Sequence, residues 1–158
     1  MPGSLPWWDN KTTKFPFDIR RLRKEYFSSD DQLLTLAFGA SSQNTSKSPL
    51  EHNAEQIKQE WTVARDVGAR ISIHIRGKGS IDPLGKVVPL AADTTYVHCT
   101  GFTQADFKVV ADSGGTVSLC PGLDTLQARG VPPFQAALDN GLLDLEGGQA
   151  VDQQATGH

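Results

Sequence analysis

The sequence predicts an α/β domain made of successive parallel βα units. Short apolar runs alternate with helical patterns, in the order strand, helix, strand, short helix or loop, strand, helix, strand, helix. The three best-defined strands start near residues 69, 94 and 116, about two dozen residues apart. That spacing suits a barrel or a doubly wound sheet, and both remain open at this point.

The boundaries of the elements follow from hydrophobic periodicity and turn residues. We predict helix 18–29, strand 32–40, helix 48–68, strand 69–77, a short helix or loop over 78–86, strand 94–102, helix 103–115, strand 116–122 and helix 132–141. Candidate capping residues are Asp18, Ser48 with Pro49 and Glu51, and Thr103 with Asp106. The glycines that are expected to end helices are Gly68, Gly114 and Gly141.

The domain organisation is predicted from length and composition. The 158 residues suffice for one domain with a sizeable core. Residues 1–17 are expected to form an irregular N-terminal arm and residues 18–141 the βα domain. Residues 142–158 lose the strand–helix cadence and are rich in Gly and Gln, so they are expected to be a disordered tail.

Charge and hydropathy exclude several kinds of partner. The net charge of −3 gives no electrostatic case for nucleic acid or for an anionic membrane surface. No apolar stretch reaches 18 residues, so no membrane span is expected. Cys99 and Cys120 lie outside any C-x-x-C pattern, and the N-terminus does not look like a signal peptide. We therefore expect a reduced, cytoplasmic protein.

Two histidines stand near the carboxyl ends of predicted strands. His74 lies in "ARISIHI" and His98 in "TTYVHC", and strand alternation places Tyr96 and His98 opposite Thr95 and Val97. The aliphatic or small face, with Thr95 and Val97, is expected to pack under the helices, and Tyr96 and His98 are expected on the ligand-capable face, as is His74. Active sites of parallel α/β proteins gather at these strand ends. Because adjacent strands lie about 4.8 Å apart, two such imidazoles can meet at one metal ion.

A structural interpretation of the two histidines stands beside the metal one. A histidine in a strand is commonly a hydrogen-bonded core residue, and the pattern does not decide between the two. A catalytic zinc needs three or more protein ligands. Of the remaining histidines, His52 lies in a helix's first turn and His158 is the last residue. The acids that could be recruited, without diagnostic spacing, are Asp93, Asp106 and Asp124.

Three segments together resemble a known family. These are "TVARDVGARISIHIRGKG", "DTTYVHCTGFTQADFKVVADSGGTVSLCP" and "ARGVPPFQAALDNGL". They are similar, in order, to the metal-dependent amidohydrolase superfamily, in particular its cytosine deaminase, guanine deaminase and s-triazine or chlorohydrolase branch. The similarity runs from about Asp18 to Gly141.

The resemblance implies a fold, a reaction and a metal. The fold is a partial (β/α)8 TIM-type barrel, to which this chain would contribute roughly the fourth to seventh βα units. His74 would match the metal histidine of the fifth strand. His98 would match the histidine of the sixth strand, a metal ligand or a substrate contact. The metal would be zinc or iron, and the reaction hydrolysis of a C–N or C–Cl bond in a cyclic small-molecule substrate.

The sequence also departs from the family pattern. Gly77 stands where many of these deaminases carry the acid/base glutamate of H-x-x-E, and no H-x-H occurs. Asp144 lies near the position of the last metal aspartate, but no recognisable barrel segment follows it. Since four strands cannot close a barrel of about 250 residues, we expect a truncated gene product that is inactive alone. The open strand edges predict self-association or a complementing chain.

Two alternatives to an enzyme remain. The first is a non-catalytic fragment or pseudoenzyme that keeps the βα scaffold and acts as a binding or interaction module. The second is an unrelated open-sheet α/β domain, such as a flavodoxin-like binding module. Metal content would separate an enzyme from a fragment, and strand order would separate a barrel from an open sheet.

Overall fold

The computed structural model describes residues 18–29, 31, 33–40, 50–127 and 130–142, with the side chains of 50–53 left out. Its elements are α1 (Ile19–Glu25), β1 (Ala37–Ala40), α2 (Leu50–Asp66), β2 (Arg70–Ile75), α3 (Ile81–Val87), β3 (Thr94–His98), α4 (Gln104–Asp112), β4 (Thr116–Ser118), α5 (Pro121–Leu126) and α6 (Phe134–Asp139). The predicted arm at 1–17 lies outside the described residues, and so does the predicted tail at 142–158 apart from Leu142, so the predicted domain boundaries stay predictions.

The four strands form one parallel sheet in the order β1-β2-β3-β4. Each strand pairs with the strand that follows it in sequence, so the order does not reverse among the described strands. A flavodoxin-like sheet reverses, in the order 2-1-3-4-5, and binds its ligand at the reversal. Sequential addition in one direction is how a TIM-type barrel is built. The fold class predicted from the sequence, a partial barrel of four parallel βα units, is confirmed.

One face of the sheet packs against the helices. Its buried side chains come from all four strands and are Phe38, Ile71, Ile73, Ile75, Tyr96 and Val117. The register pairs Ile73 with Tyr96 and Tyr96 with Val117, so these rows are continuous across the sheet. Trp61 of α2 lies in the same core and is 2% exposed. This apolar layer is the main source of stability, at about 25 cal/mol per Å² of apolar surface removed from water.

The other face carries small and polar side chains. One row runs through Ser72, Thr95 and Thr116, and the hydroxyls of Thr95 and Thr116 lie 2.8 Å apart. The next row runs from His74 to Val97 and then Ser118. His74 is exposed and the others of these two rows are half-buried. In a closed barrel this face is the interior, where residues of neighbouring strands stack in layers.

The faces of β3 are the reverse of the predicted ones. The sequence pattern gave Thr95 and Val97 to the helix side and Tyr96 to the side of His74. In the structure Tyr96 is 0% exposed beneath the helices, while Val97 lies beside His74. Burial decides the difference, because the tyrosine ring removes far more apolar area from water than a threonine and a valine methyl do.

Two boundaries differ from the predicted ones. The first strand begins at Ala37 and not at residue 32, and Leu33 and Leu34 of the predicted run are 100% and 71% exposed. The segment 78–86, predicted as a short helix or a loop, contains the helix α3, which tolerates Pro83 in its first turn, where no N–H partner is needed. The predicted end of the fourth strand is instead the start of α5, whose first residue is Pro121.

The predicted caps have different outcomes. The capping box of α4 is confirmed, since Thr103 N–H donates to Asp106 Oδ2 over 2.7 Å and Asp106 N–H donates to Thr103 Oγ1 over 3.3 Å. Asp18 was wrongly predicted to cap α1, because its carboxylate accepts hydrogen bonds from Arg21 instead. Ser48, Pro49 and the Glu51 side chain, predicted to cap α2, lie outside the described residues.

Within the described part of the chain, no helix combines the length and the apolar character that a membrane crossing requires. The longest helix, α2, has 17 residues and carries charged side chains throughout.

Candidate functional site

His74 lies one residue before the end of β2, on the face of the sheet that turns away from the helices. Its neighbours Ile73 and Ile75 are both 0% exposed in the core, whereas His74 itself is exposed. The alternation of strand side chains explains this contrast. The structure thus places His74 where the sequence predicted it, at the carboxyl edge of the sheet.

His98 is the last residue of β3, and it lies where the backbone leaves the strand conformation. Strand alternation alone would send His98 to the helix side, in register with Ile75. Instead, His98 and Cys99 have φ angles of 74° and 53°, in the left-handed region that residues other than glycine rarely adopt. With this turn, the His98 ring lies against that of His74, with ring centroids 5.2 Å apart and planes inclined by 44°.

Asp124 is the third member of the site and holds the His98 ring. It lies in the first turn of α5 and is 0% exposed, and His98 is 3% exposed. The Nδ1 atom of His98 is 3.0 Å from Asp124 Oδ1 and 3.2 Å from Oδ2. In the sequence Asp124 was one of three recruitable acids without diagnostic spacing. Only the unpredicted helix α5 brings it to the end of β3.

The other two recruitable acids serve elsewhere in the fold. Asp106 caps α4, and it also accepts a hydrogen bond from the Gly79 N–H over 3.3 Å. Asp93 lies at the opposite edge of the sheet, where Arg65 Nε donates to its carboxylate over 2.7 Å. Burial raises the pKa of Asp93, but the hydrogen bonds from Arg65 and Thr94 outweigh it, so the pKa lies below its ordinary value. Neither acid joins the histidines.

Cys99 lies next to His98 but is poorly suited to metal binding. The side chain is 0% exposed, and its Sγ atom is 3.5 Å from the Tyr96 carbonyl oxygen. Burial raises the pKa of the Cys99 thiol well above its ordinary value, and the nearby Asp124 and Asp106 carboxylates raise it further. Since the thiolate is the metal-binding form, a thiol held protonated is a weak ligand.

The backbone at Gly77 matters because the resemblance expects a glutamate there. Gly77 has a φ of 93°, and its N–H donates to the Thr100 carbonyl over 2.8 Å. A Cβ at Gly77 would meet no atom within 4 Å, so space for a side chain exists. The positive φ is nevertheless unfavourable for glutamate by about 1–2 kcal/mol. At position 77 this chain therefore differs from the H-x-x-E pattern both in its residue and in its backbone conformation.

The two imidazoles fit a shared zinc or iron ion in chemistry and in spacing. Imidazole nitrogen binds both metals well, at about 2.0–2.1 Å for zinc. A ring centroid then lies about 3.2 Å from the metal, and a tetrahedral angle between two such rings separates their centroids by about 5.2 Å. The observed separation is 5.2 Å. Ordinary tilted ring contacts span about 4.5–7 Å as well, so the separation alone does not distinguish a metal pair from packed rings.

The described residues do not make up a complete metal site. Among them, no group of three or more His, Cys, Asp or Glu side chains is placed to hold a metal ion. His158 and the side chain of His52 lie outside the described residues. The described part therefore offers two imidazole ligands, with a carboxylate behind one of them, where a catalytic zinc needs three protein ligands.

Comparison with known proteins finds a likeness in structure and none in sequence. No protein-family model matches the sequence, and no curated protein matches it either. An adenosine deaminase from Xanthomonas campestris, with bound Zn, has a similar structure, with a TM-score of 0.65 at 18% identity. The match covers 78% of this chain and 30% of the deaminase chain, so this chain spans less than a third of that protein's length. At this identity, the likeness establishes a shared fold, the parallel α/β sheet of a partial TIM-type barrel.

Proposed function

We propose that this chain carries roughly the fourth to seventh βα units of an amidohydrolase-type barrel, whose complete site hydrolyses C–N or C–Cl bonds of a cyclic small molecule. The observation that carries the proposal is the contact between His74 and His98 at the carboxyl ends of adjacent parallel strands. The zinc-containing adenosine deaminase that shares the fold supports it.

In this proposal, His74 and His98 are ligands of a zinc or iron ion. Such an ion, when bound, supplies an activated water for attack on the substrate carbon. His74 reaches the site from the exposed face of the sheet, so solvent and substrate have access to it. His98 reaches it from a buried position, held by Asp124, so its ring has little freedom to move away.

Gly77 restricts the kind of chemistry that these units can provide. A deaminase of the H-x-x-E type uses its glutamate to move protons at the substrate. In this chain that position has neither the carboxylate nor a backbone conformation that favours one. The proposed reaction is therefore hydrolysis with proton transfer by another group. The exact substrate depends on the loops of the whole barrel.

A partner is also part of the proposal. The inner face of the sheet holds half-buried Thr95, Val97 and Ser118, which a complete barrel would cover. Within the described part of the chain, β1 and β4 are edge strands. Unpaired edges pair readily with further strands. We infer completion by further barrel units, from a complementing chain or by self-association. Cys99 and Cys120 are free, which supports a cytoplasmic location within the same proposal.

A non-catalytic binding or interaction module is the second candidate. The observation that favours it is the incomplete ligand set, since the described residues gather two imidazoles and no third ligand. A sheet of this kind would retain the scaffold and the exposed inner face without the chemistry.

Zinc titration of the metal-free full-length chain tests the two candidates. A metal site predicts that His74→Ala and His98→Ala each weaken Zn²⁺ binding by at least about tenfold. Asp112→Asn is the control, because it alters an exposed carboxylate that pairs with Lys108, and it should bind Zn²⁺ as the wild type does. Equal Zn²⁺ binding by all four proteins, or none by the wild type, would favour the non-catalytic module.

A further inference from the structure

The contact between His98 and Asp124 uses one particular atom of the imidazole ring. Nδ1 is the ring nitrogen within 3.2 Å of both carboxylate oxygens. An ionised carboxylate can only accept hydrogen bonds, so Nδ1 must carry a proton and donate. In a neutral imidazole the second nitrogen, Nε2, then has the free lone pair. Only a nitrogen with a free lone pair can bind a metal ion.

Asp124 is itself held firmly. It lies one turn into α5, which Pro121 starts with a φ suited to helix, and the Asp124 N–H donates to the Cys120 carbonyl over 2.9 Å. The carboxylate is 0% exposed, so water does not compete for it. Asp124 lies in the short helix α5, directly after β4. Its carboxylate therefore has a fixed position from which it can orient the His98 ring.

The conformation of the chain at His98 requires such a fixed point. His98 and Cys99 are two consecutive left-handed residues, a strained conformation that persists only where its surroundings hold it. Without this turn, strand alternation would send the His98 ring toward the core and away from His74. The turn aims the ring, and the contact with Asp124 fixes its rotation.

We propose that Asp124 is the positioning residue of the site: it holds His98 as the Nδ1–H tautomer and so presents Nε2 beside His74. This inference rests on the proposed metal site for its purpose, but the tautomer it assigns belongs to the metal-free chain. Carboxylates that accept from a metal-binding histidine raise the basicity of the ligand nitrogen, and their loss weakens metal binding by about 10–100-fold.

Imidazole ¹⁵N NMR of the metal-free full-length chain tests the tautomer directly. At about pH 8.5, above the ordinary range of histidine pKa values, the wild type should show Nδ1 of His98 protonated and Nε2 bare. The His98 signals are identified by their loss in His98→Gln. This measurement needs no variant of Asp124, so it holds even where such a variant does not fold. A wild-type ring protonated at Nε2 would overturn the proposal.

The variant Asp124→Asn then tests whether Asp124 fixes the tautomer of His98 or only packs against its ring. It keeps the shape of the side chain, but its amide can donate as well as accept, so the side chain no longer selects the Nδ1–H form. We expect the Nδ1–H preference to be lost and Zn²⁺ affinity to fall by about tenfold or more. The matched control is Asp106→Asn, which alters another buried carboxylate that contacts Thr103 and Gly79 and should change neither readout.

The outcomes distinguish this inference from the proposed function. A His98 tautomer that is unchanged in Asp124→Leu, which removes the acceptor altogether, would overturn the positioning role, whatever the zinc result. If the wild type binds no Zn²⁺ but Asp124→Asn still shifts the tautomer, the metal site fails while the positioning of His98 by Asp124 stands. A shift of equal size in Asp106→Asn would also count against a specific role for Asp124.

Discussion

The two ends of the strands, called here the amino edge and the carboxyl edge of the sheet, differ in how their polar groups are held. At the amino edge, Arg65 binds Asp93 through two hydrogen bonds, of 2.7 and 3.1 Å, and donates to the Pro89 carbonyl over 2.9 Å. The backbone at Asp93 has no positive φ. Every polar group of this small network faces a partner whose role is structural, and about a third of each side chain stays accessible to water.

At the carboxyl edge, the chain instead combines strain with buried polarity. His98 and Cys99 are left-handed, and His98 and Asp124 form a fully buried polar pair. His74 lies exposed beside them. Stability alone gives no reason for such an arrangement, because apolar residues would pack there more cheaply. Strain and buried polar groups gather where a barrel does its chemistry, and simple ion pairs gather at the other end.

The largest expected effect follows from breaking the buried pair. Asp124→Leu should lower the free energy of unfolding by about 3 kcal/mol, because it leaves the His98 Nδ1–H buried without its acceptor. In the double variant His98→Leu/Asp124→Leu most of that loss should be recovered, as both polar groups are gone. Urea unfolding of the three proteins measures this. A double variant as unstable as the single one would mean that the pair is a stability device and not a functional one.

A glycine at each edge gives the next comparison. Gly115 lies just before β4 at the amino edge, and a Cβ there would come within 2.7 Å of Tyr96 Cε2 and 3.3 Å of the Thr94 carbonyl oxygen. Gly115→Ala should therefore destabilise by about 2 kcal/mol through overpacking. Gly77→Ala at the carboxyl edge meets no atom within 4 Å and should cost only about 1 kcal/mol, from its positive φ. Thermal unfolding compares the two, and a reversed order would contradict this account.

The sheet was predictable from the sequence because its signals are local. Apolar runs, capping residues and terminal glycines fix β2 and α4 closely, and the Thr103–Asp106 capping box was found in detail. The repeating strand and helix order then required parallel pairing. The direction in which the β3 side chains face was not predictable, because Tyr96 and Val97 can each fill a core and only the neighbours Ile73 and Val117 on the adjacent strands decide.

The site was predictable only in part, for a different reason. His74 and His98 could be placed at strand ends by counting. Their ring contact depends on two left-handed residues, and neither His98 nor Cys99 has a sequence signal for that conformation. Asp124 belongs to the short helix α5, which was not predicted because the Cys-Pro-Gly sequence at its start is typical of a turn. The tertiary structure brings Asp124 to His98, and not Asp93 or Asp106, and the spacing of these acids along the chain does not predict which of them it is.

The left-handed turn itself makes a smaller prediction. Cys99→Gly should be more stable than Cys99→Ala by about 1 kcal/mol, because glycine adopts a φ of 53° without steric cost. In a helix interior the order is opposite, and Ala54→Gly in α2 should cost about 1 kcal/mol. Unfolding in guanidinium chloride measures the sign of each difference in stability. If Cys99→Ala is the more stable of the two, the chain does not hold the turn under strain.

The amino edge supplies the smallest effect and a pH signature. Asp93→Asn should lower stability at pH 7 by about 0.5–1 kcal/mol, because the pair with Arg65 is partly exposed and screened. The pKa of Asp93 is lowered in the fold, so its contribution is present above the ordinary carboxyl pKa of about 3.9 and is lost as the pH falls through the folded-state value.

The stability difference between wild type and Asp93→Asn should therefore shrink toward zero in acid, measured by urea unfolding from pH 7 down to about pH 2.5. Asp112→Asn is the matched control, because its pair with Lys108 is well exposed and should contribute almost nothing at any pH. Zn²⁺ binding should be the same in both variants as in the wild type. A loss of Zn²⁺ binding in Asp93→Asn would contradict the distinction between a structural amino edge and a functional carboxyl edge. It would mean that Asp93 influences the site from the other end of β3.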